Sequence, residues 1–220
     1  MADPTSKLVA ISVGKPREVQ WRGRGVETSI FKTPVSGRVR VGRLNVEGDQ
    51  QSDLSVHGGT DKAVYAYPAE HYDFWRRELP DMKLPWGTFG ENFTTEGLLE
   101  EDVWIGDRYR VGSVEVVVTQ PRMPCYKLAI RFGNPDMVKR FLQSRRSGFY
   151  FAVEQEGEVA AGDTIERLAR SDSRLTVADV VALYAKDSAN QPLLETASDH
   201  PSLPAAWREY FRKRLWKPDV

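Results

Sequence analysis

The hydrophobic residues in the first part of the chain form short β-branched runs between turn residues, a pattern that predicts strands. Such runs cover residues 8–13, 28–35, 37–46 and 63–67, and they resume at 91–95, 108–119, 150–155 and 164–168. Glycine, proline and aspartate separate the runs, and residues 111–114 are typical of a hairpin turn. Because the runs are many and do not alternate with helices, they favour a closed or nearly closed β-barrel with helical insertions over a parallel sheet.

Two segments between these strands place apolar residues at helical spacing instead. In residues 68–79, Tyr72, Trp75 and Leu79 fall on one face, so the pattern predicts an amphipathic helix. A second helix is predicted at residues 135–146, where a similar apolar stripe recurs. Both helices are expected as insertions between strands of the barrel.

The end of the chain differs from the barrel in its periodicity. Residues 170–174 are polar and are interpreted as a linker, after which the spacing of apolar residues becomes helical. Thr176 is the predicted N-cap of the first helix, a short middle helix is expected at 190–197, and an aromatic stripe marks the last helix. The sequence therefore predicts a mainly β barrel domain at residues 1–169 and a three-helix domain at residues 170–220.

Charge and composition narrow the classes of partner. The chain has 31 basic and 31 acidic residues, and residues 176–220 hold six of each, so neither nucleic acid nor an anionic membrane is an expected partner. All apolar runs are short, and a cytoplasmic protein is expected. One cysteine excludes an intrachain disulfide or a cysteine-ligated zinc site, and the three histidines lack metal-ligand spacing. If a metal is bound, Cys125 is its leading candidate ligand.

Cys125 lies just after a strand-like run, where a polar segment begins. Pro121 and Pro124 precede the cysteine, and Arg122 and Lys127 place a cation on either side of it. Neighbouring cations favour the thiolate, which is the form that acts as a nucleophile or metal ligand. A free cysteine is equally often a small buried hydrophobe, so both interpretations stay open on the pattern alone.

A second polar segment, His57-Gly58-Gly59-Thr60-Asp61-Lys62, has the physical ingredients of a phosphate site. Paired glycines let backbone N–H groups approach an anion closely, and the lysine supplies positive charge. The segment lacks the full P-loop pattern, however, and Gly-Gly before a strand is usually a simple turn. His57 is open to the same two interpretations, a ligand or catalytic group and a hydrogen-bonded structural residue.

Three further polar residues stand out from their surroundings. Lys32 interrupts an otherwise apolar and hydroxylic strand, so its charge must reach solvent, a carboxylate or a bound anion. Arg22 lies in a glycine-rich loop that lacks a dinucleotide-binding fingerprint, where solvated charge is the ordinary expectation. Asn92 lies between aromatic residues, where it either orients a ligand or caps a turn.

Taken together, these segments resemble a known family. The motifs Gln120-Pro121-Arg122-x-Pro124-Cys125-x-Lys127-Leu128, His57-Gly58-Gly59-x-Asp61-Lys62-Ala63-Val64-Tyr65 and Thr28-Ser29-Ile30-x-Lys32 are similar to those of the MOSC domain. A C-terminal three-helix domain is typical of the stand-alone bacterial YiiM type of this family, and the resemblance covers nearly the whole chain. It implies a β-barrel that binds a molybdenum cofactor of the molybdopterin type, with Cys125 as the ligand of the molybdenum.

The resemblance also implies which residues contact the cofactor. The phosphate and polar edge of the pterin would be bound by Arg22, Lys32, Lys62 and Arg122, and the same pocket would be lined by His57, Gly58, Gly59 and Asn92.

For function, the resemblance implies a reductase of N-hydroxylated bases such as 6-N-hydroxylaminopurine. Cys125 is then catalytic as the metal ligand, and His57 and Asp61 are the predicted proton donors. The chain has no room for an iron–sulfur, flavin or desulfurase module, so a separate reductase is expected to supply electrons. Pyridoxal phosphate is associated with the family, but no residue pattern here indicates it. The alternative function is a sulfur carrier through a Cys125 persulfide, and a third is a binding barrel without chemistry.

Overall fold

The computed structural model describes residues 6–52, 58–185 and 190–215. The strands in these ranges are β1 (Ser6–Val13), β2 (Arg17–Trp21), β3 (Arg24–Thr28), β4 (Thr33–Pro34), β5 (Val39–Val41), β6 (Val64–Pro68), β7 (Phe93–Glu96), β8 (Arg108–Val111), β9 (Val114–Pro121), β10 (Phe149–Gln155), β11 (Gly157–Val159) and β12 (Thr164–Ala169). The helices are α1 (Glu70–Glu78), α2 (Tyr126–Phe132), α3 (Met137–Ser144), α4 (Val177–Tyr184), α5 (Gln191–Asp199) and α6 (Ala205–Leu215), with a 3₁₀ helix at Thr60–Lys62. None of the helices in these ranges is long and apolar enough to cross a membrane.

Seven strands form a closed barrel, as the sequence predicts. Their order is β12, β8, β9, β10, β6, β7 and β1, and β1 pairs with β12 to close the circle. All of these pairings are antiparallel except the one between β6 and β7. In β9, Val114, Val116 and Val118 are fully buried, because alternate residues of a strand point into the barrel. The β-branched runs of the sequence therefore supply the barrel core.

The segment before β4 differs from its prediction. The sequence pattern suggests a loop around Arg22 followed by a strand at 28–35, whereas β2 and β3 form a separate two-stranded hairpin. The turn of this hairpin uses positive φ values at Arg22 and Gly23. Most residues of both strands are charged, polar or glycine, so the hairpin stays largely exposed and its hydrophobic signal is weak.

Helix α2 is a second feature that the sequence analysis missed, and it bears directly on the cysteine. Cys125 is the N-cap residue, with φ −120 and ψ 175, and Gly133 ends the helix in a left-handed conformation. A helix of seven residues is too short to show two full periods of an apolar stripe, so its pattern is hard to distinguish from a loop. Cys125 therefore lies at the junction of a loop and a helix.

The C-terminal helices share a core with the barrel. Val177, Val180 and Phe211 belong to the same cluster of buried apolar residues as the barrel strands. Thr176 caps α4 as predicted, since its side chain accepts a hydrogen bond from the Asp179 backbone while the Asp179 carboxylate accepts one from the Thr176 backbone. The apolar contact between barrel and helices is therefore continuous, while the domain limits at 1–169 and 170–220 stay a prediction.

A second apolar cluster packs outside the barrel, where α1, α3 and the loop before β7 meet. It consists largely of aromatic side chains, including Tyr67, Tyr72, Trp75, Phe89 and Phe141. The loop is anchored by the buried Glu91 carboxylate, which accepts hydrogen bonds from the backbone N–H groups of residues 87 and 89. Two members of this cluster, Ile30 and Tyr65, also line the cavity described next.

Candidate cofactor site

A cavity of about 630 Å³, counted with the solvent-open space at its mouth, gathers most of the polar residues singled out in the sequence. Five predicted site residues line it, namely Lys32, Lys62, Asn92, Arg122 and Cys125. Lys127 lines it as well, and among the described lining residues Asp49 is the one carboxylate. The four cationic side chains and one carboxylate of these described residues leave a formal excess of three positive charges. The overall neutral chain thus carries a strongly basic pocket.

Lys32 is held by a buried polar network on one wall of the cavity. Its Nζ atom donates to Asp49 Oδ2 at 2.6 Å, and Asn92 Nδ2 donates to the same oxygen at 2.9 Å. The other Asp49 oxygen accepts from the Gly14 N–H at 2.7 Å, and Asn92 Oδ1 accepts from the Tyr65 N–H at 3.2 Å. Burial lowers the pKa of Lys32, while Asp49 acts in the opposite direction. Asn92 is therefore a fixed part of the wall.

Arg122 directly follows β9 and is buried. The residue is only 6% exposed, and its guanidinium carbon lies 5.3 Å from the ring centroid of Tyr65 and 5.2 Å from that of Phe141. Burial opposes the charge of Arg122, whereas Tyr65 and Tyr150 favour it, and the net effect raises its pKa. Arg122 is therefore a permanent cation in the wall of the cavity.

The backbone of Arg122 is fixed by a relay that reaches deep into the fold. Its N–H donates to the Gly148 carbonyl at 3.2 Å, and the Gly148 N–H donates to Glu100 Oε1 at 2.7 Å. The second Glu100 oxygen lies 2.7 Å from His71 Nε2. Both Glu100 and His71 are buried. The relay places the arginine independently of any ligand.

Two buried polar atoms of the cavity lining have no hydrogen-bond partner among the described residues. They are Arg122 Nη1 and Ser29 Oγ. A buried group left in this state costs about 1–3 kcal/mol, so such groups normally have a partner. Both atoms belong to residues that line the cavity. A ligand with hydrogen-bond acceptors and negative charge, such as the pterin phosphate that the resemblance implies, would fit this lining.

Cys125 is the N-cap residue of α2, and Lys127 lies in the first turn of this helix. Cys125 is partly buried and lines the cavity, and Lys127 Nζ donates to Ser52 Oγ at 3.0 Å. Within residues 6–52, 58–185 and 190–215, no three side chains of the His, Cys, Asp or Glu type come together in a way that could bind a metal.

Lys62 reaches the cavity from the 3₁₀ helix that follows the two glycines. Burial lowers the pKa of Lys62, and the charge of Asp61 acts in the opposite direction. Gly58 and Gly59 are not among the lining residues, and a Cβ atom at Gly59 would meet nothing within 4 Å. Gly59 has φ 97, so a positive φ rather than close approach to a ligand explains the glycine there.

Two other predicted site residues, Asp61 and Arg22, are not among the residues that line the cavity. Asp61 is exposed, and its carbonyl oxygen accepts a hydrogen bond from Thr119 Oγ1 at 2.7 Å. Arg22 is exposed at the tip of the β2–β3 hairpin, where its guanidinium carbon lies 5.9 Å from the centroid of the Trp21 ring. His57 lies outside the described residues. The assignments of Arg22, His57 and Asp61 stay predictions.

Sequence reasoning missed several lining residues. Tyr65 and Tyr150 come from barrel strands, and burial raises the pKa of both, so they remain neutral phenols. Asp49 lies directly after a glycine turn, where a carboxylate usually faces solvent. Lys127 appears in the cysteine motif but was not assigned to the cofactor. An aromatic residue in a strand carries no signal that separates a pocket lining from a core.

Comparison with known proteins adds independent findings. The sequence profile of the MOSC domain matches residues 53–166, and that of the YiiM-like 3-alpha helix domain matches residues 175–217. The chain is 41% identical to the uncharacterized protein YflK of Bacillus subtilis over 94% of this chain and 93% of YflK. It is 34% identical to protein YiiM of Escherichia coli over 96% of this chain and 89% of YiiM.

Two further similarities concern a fungal protein and a solved structure. A protein of Gibberella moniliformis named Reductase is 33% identical over 90% of this chain, which corresponds to 36% of that longer protein. The crystal structure of YiiM from Geobacillus stearothermophilus superimposes with a TM-score of 0.80 at 39% identity, covering 96% of this chain and 99% of that chain.

Proposed function

The chain belongs to the MOSC domain family, with a YiiM-like three-helix domain, and we propose that it is a molybdenum-cofactor-dependent reductase of N-hydroxylated bases such as 6-N-hydroxylaminopurine. The observation that carries the proposal is the cavity itself. It combines the single cysteine of the chain with four cationic side chains and two buried polar atoms without partners among the described residues. The fungal relative named Reductase supports a redox activity for proteins of this sequence type.

The lining residues fit the parts of the proposed cofactor. Lys62, Arg122 and Lys127 would bind the phosphate, with the hydroxyl of Ser29 as an additional donor. The Cys125 thiolate would ligate the metal, since a soft sulfur ligand suits molybdenum. When bound, the cofactor supplies the two-electron couple that reduction of an N–O bond requires.

The reaction also requires protons and a source of electrons. Conversion of an N-hydroxylated base to the amine consumes two electrons and two protons and releases water. Among the described lining residues, the buried Lys32–Asp49 pair is the arrangement best suited to hold a proton, because its two polar atoms lie 2.6 Å apart. Asp61 is exposed and less suited to this role. The electrons would come from a separate reductase.

Metal content and activity, measured together, test the proposal. The protein would be produced in a host that makes molybdopterin, and molybdenum would be quantified before and after Cys125→Ala. Reduction of 6-N-hydroxylaminopurine would be followed with a chemically reduced viologen dye as electron donor. We expect near-stoichiometric molybdenum and activity in the wild type, with both lost in Cys125→Ala.

A matched pair of lysine variants tests the basic lining. Lys62→Gln is expected to lose cofactor on gel filtration, whereas Lys139→Gln, on the exposed surface of α3, is expected to retain it. A wild-type protein without molybdenum but with a labelled persulfide on Cys125 would instead support the sulfur carrier. Absence of both, with unchanged resistance of cells to hydroxylaminopurine after Cys125→Ala, would favour a binding barrel.

A further inference from the structure

We propose that the C-terminal helical domain positions the basic wall of the cavity, with Trp207 of α6 as the positioning residue. A relay of two hydrogen bonds joins this helix to the segment that carries Lys62. The inference rests on the proposed function for the identity of the anion, whereas the positioning rests on the contacts alone.

The first bond of the relay crosses from the helical domain to the barrel. Trp207 Nε1 donates to Gln120 Oε1 at 2.8 Å, and the Gln120 side chain belongs to a residue that is only 4% exposed. An indole N–H can only donate, so it fixes which end of the amide carries the oxygen. The amide nitrogen of Gln120 is consequently turned away from the indole.

The second bond of the relay fixes the backbone next to Lys62. Gln120 Nε2 donates to the Asp61 carbonyl at 3.3 Å, and Thr119 Oγ1 lies within hydrogen-bond distance of the same oxygen at 2.7 Å. On the other side, Gln51 Nε2 donates to the Lys62 carbonyl at 3.2 Å. The carbonyl groups of two consecutive residues are therefore held, and the lysine side chain projects from a fixed backbone.

The same glutamine also lies on the strand that leads to the cysteine segment. Gln120 precedes Arg122 by two residues near the end of β9 and pairs with Tyr150 of β10, which lines the cavity. One amide therefore links the backbones beneath two of the four cations that line the cavity. A displacement of Gln120 would be transmitted to both.

The indole is itself held in place by the helical domain. The ring centroids of Tyr184 and Phe211 lie 5.5 Å and 5.7 Å from that of Trp207. Aromatic contacts of this kind restrict ring rotation in a packed cluster. The helical domain thus has a defined task at the cavity, in addition to covering one side of the barrel.

Alkylation of the single cysteine tests the positioning without any cofactor. The full chain would be purified from a host that makes no molybdopterin, and the rates of Cys125 reaction with anionic iodoacetate and neutral iodoacetamide would be compared. The ratio of the two rates cancels the thiolate fraction and reports the local positive potential. Variants at both ends of the first bond, Trp207→Phe and Gln120→Met, would be measured beside Lys62→Gln as the reference and Tyr210→Phe as the matched control.

The expected results follow from the charge of Lys62. Lys62→Gln is expected to lower the ratio about threefold, and displacement of the lysine by Trp207→Phe or Gln120→Met about twofold. The double variant Trp207→Phe with Gln120→Met should lower the rate ratio no further than either of these single variants, because both changes break the same relay. Tyr210→Phe, which alters the same aromatic cluster without touching the relay, should leave the ratio unchanged.

Two outcomes would overturn the inference. One is an unchanged ratio in Trp207→Phe or Gln120→Met despite a lowered ratio in Lys62→Gln, and the other is an unchanged ratio in Lys62→Gln itself. Because Gln120→Met reaches the bond from the barrel side, the test does not depend on one variant folding. Molybdenum content is measured separately, so a lowered ratio in a protein that never binds molybdenum would refute the proposed function and leave the positioning intact.

Discussion

Replacing Asp49 with asparagine is expected to destabilise the cofactor-free protein by about 3 kcal/mol near pH 6, because removal of one partner of a buried ion pair strands the other charge. The side chains of Lys32 and Asp49 are only 9% and 2% exposed, so water cannot replace the lost partner. Asparagine keeps an oxygen that can accept from the Gly14 N–H, but its amide nitrogen cannot accept from Lys32. The lysine therefore loses its counter-charge, and Asn92 Nδ2, which donates to the same oxygen, loses this acceptor as well.

The loss of stability caused by Asp49→Asn should shrink as the pH rises. Burial lowers the pKa of Lys32 in the folded protein, whereas the unfolded chain keeps the ordinary value of 10.5. Between these two values the unfolded chain binds more protons than the folded chain, so stability rises with pH. The charge of Asp49 keeps the pKa of Lys32 from falling further, so this pKa should be lower in Asp49→Asn than in the wild type. The stability of the variant should therefore begin to rise at a lower pH than that of the wild type.

Urea unfolding of both proteins between about pH 6 and pH 9 measures this difference. Asp73→Asn is the matched control, because Asp73 pairs with Arg76 at 2.8 Å on the exposed surface of α1, where loss of the pair should change little. Adding Lys32→Met to Asp49→Asn removes the stranded charge and should recover part of the stability. The reasoning fails if Asp49→Asn costs less than about 1 kcal/mol near pH 6, as a surface pair would, or if its cost does not depend on pH.

Two further predictions concern a glycine and a hydroxyl. Gly148→Ala should lower the free energy of unfolding by at least about 2 kcal/mol, since φ is 61 and the added Cβ would lie 2.4 Å from the Ala66 carbonyl oxygen. Gly133→Ala, with φ 60 and nothing within 4 Å, should cost about 1 kcal/mol, and equal costs in urea unfolding would contradict the role of the clash. Ser29→Ala should leave the cofactor-free protein at least as stable as the wild type but reduce molybdenum retention on gel filtration, because its buried hydroxyl has no partner in the described part of the chain. Unchanged retention would contradict a ligand-binding role for Ser29.

The barrel could be predicted from the sequence because its strands carry β-branched residues at the period that a half-buried strand requires. In β9, the buried valines alternate with less buried residues, and the pattern is visible in the printed sequence. The β2–β3 hairpin and α2 could not be predicted in the same way. The strands of the hairpin bury little apolar surface, and α2 is seven residues long, so neither element repeats its pattern often enough.

The site could be predicted where a charged residue interrupts an apolar pattern. Lys32 and Arg122 adjoin strand-like runs, and a charge in such a place requires a partner or a ligand. Asp49 follows a turn glycine and Tyr150 lies in a strand, which are ordinary positions for these residue types. Only the folded arrangement brings Asp49 to within 2.6 Å of Lys32. Pairing between segments that are distant in sequence is the part of the site that local patterns do not encode.

The balance of charge in the cavity bears on which ligand it is built to bind. Among the described residues, four cations and one carboxylate line a space in which Arg122 and Lys127 are only 6% and 7% exposed, so these cations repel one another and lack much of their hydration. A neutral ligand could satisfy the hydrogen-bonding atoms of Arg122 and Ser29 but would leave this repulsion in place. A persulfide on Cys125 would bring at most one negative charge. A phosphate-bearing cofactor would meet both the excess charge and these two donors, which have no partner among the described residues, and this is the ground on which we propose a molybdenum cofactor rather than a sulfur carrier.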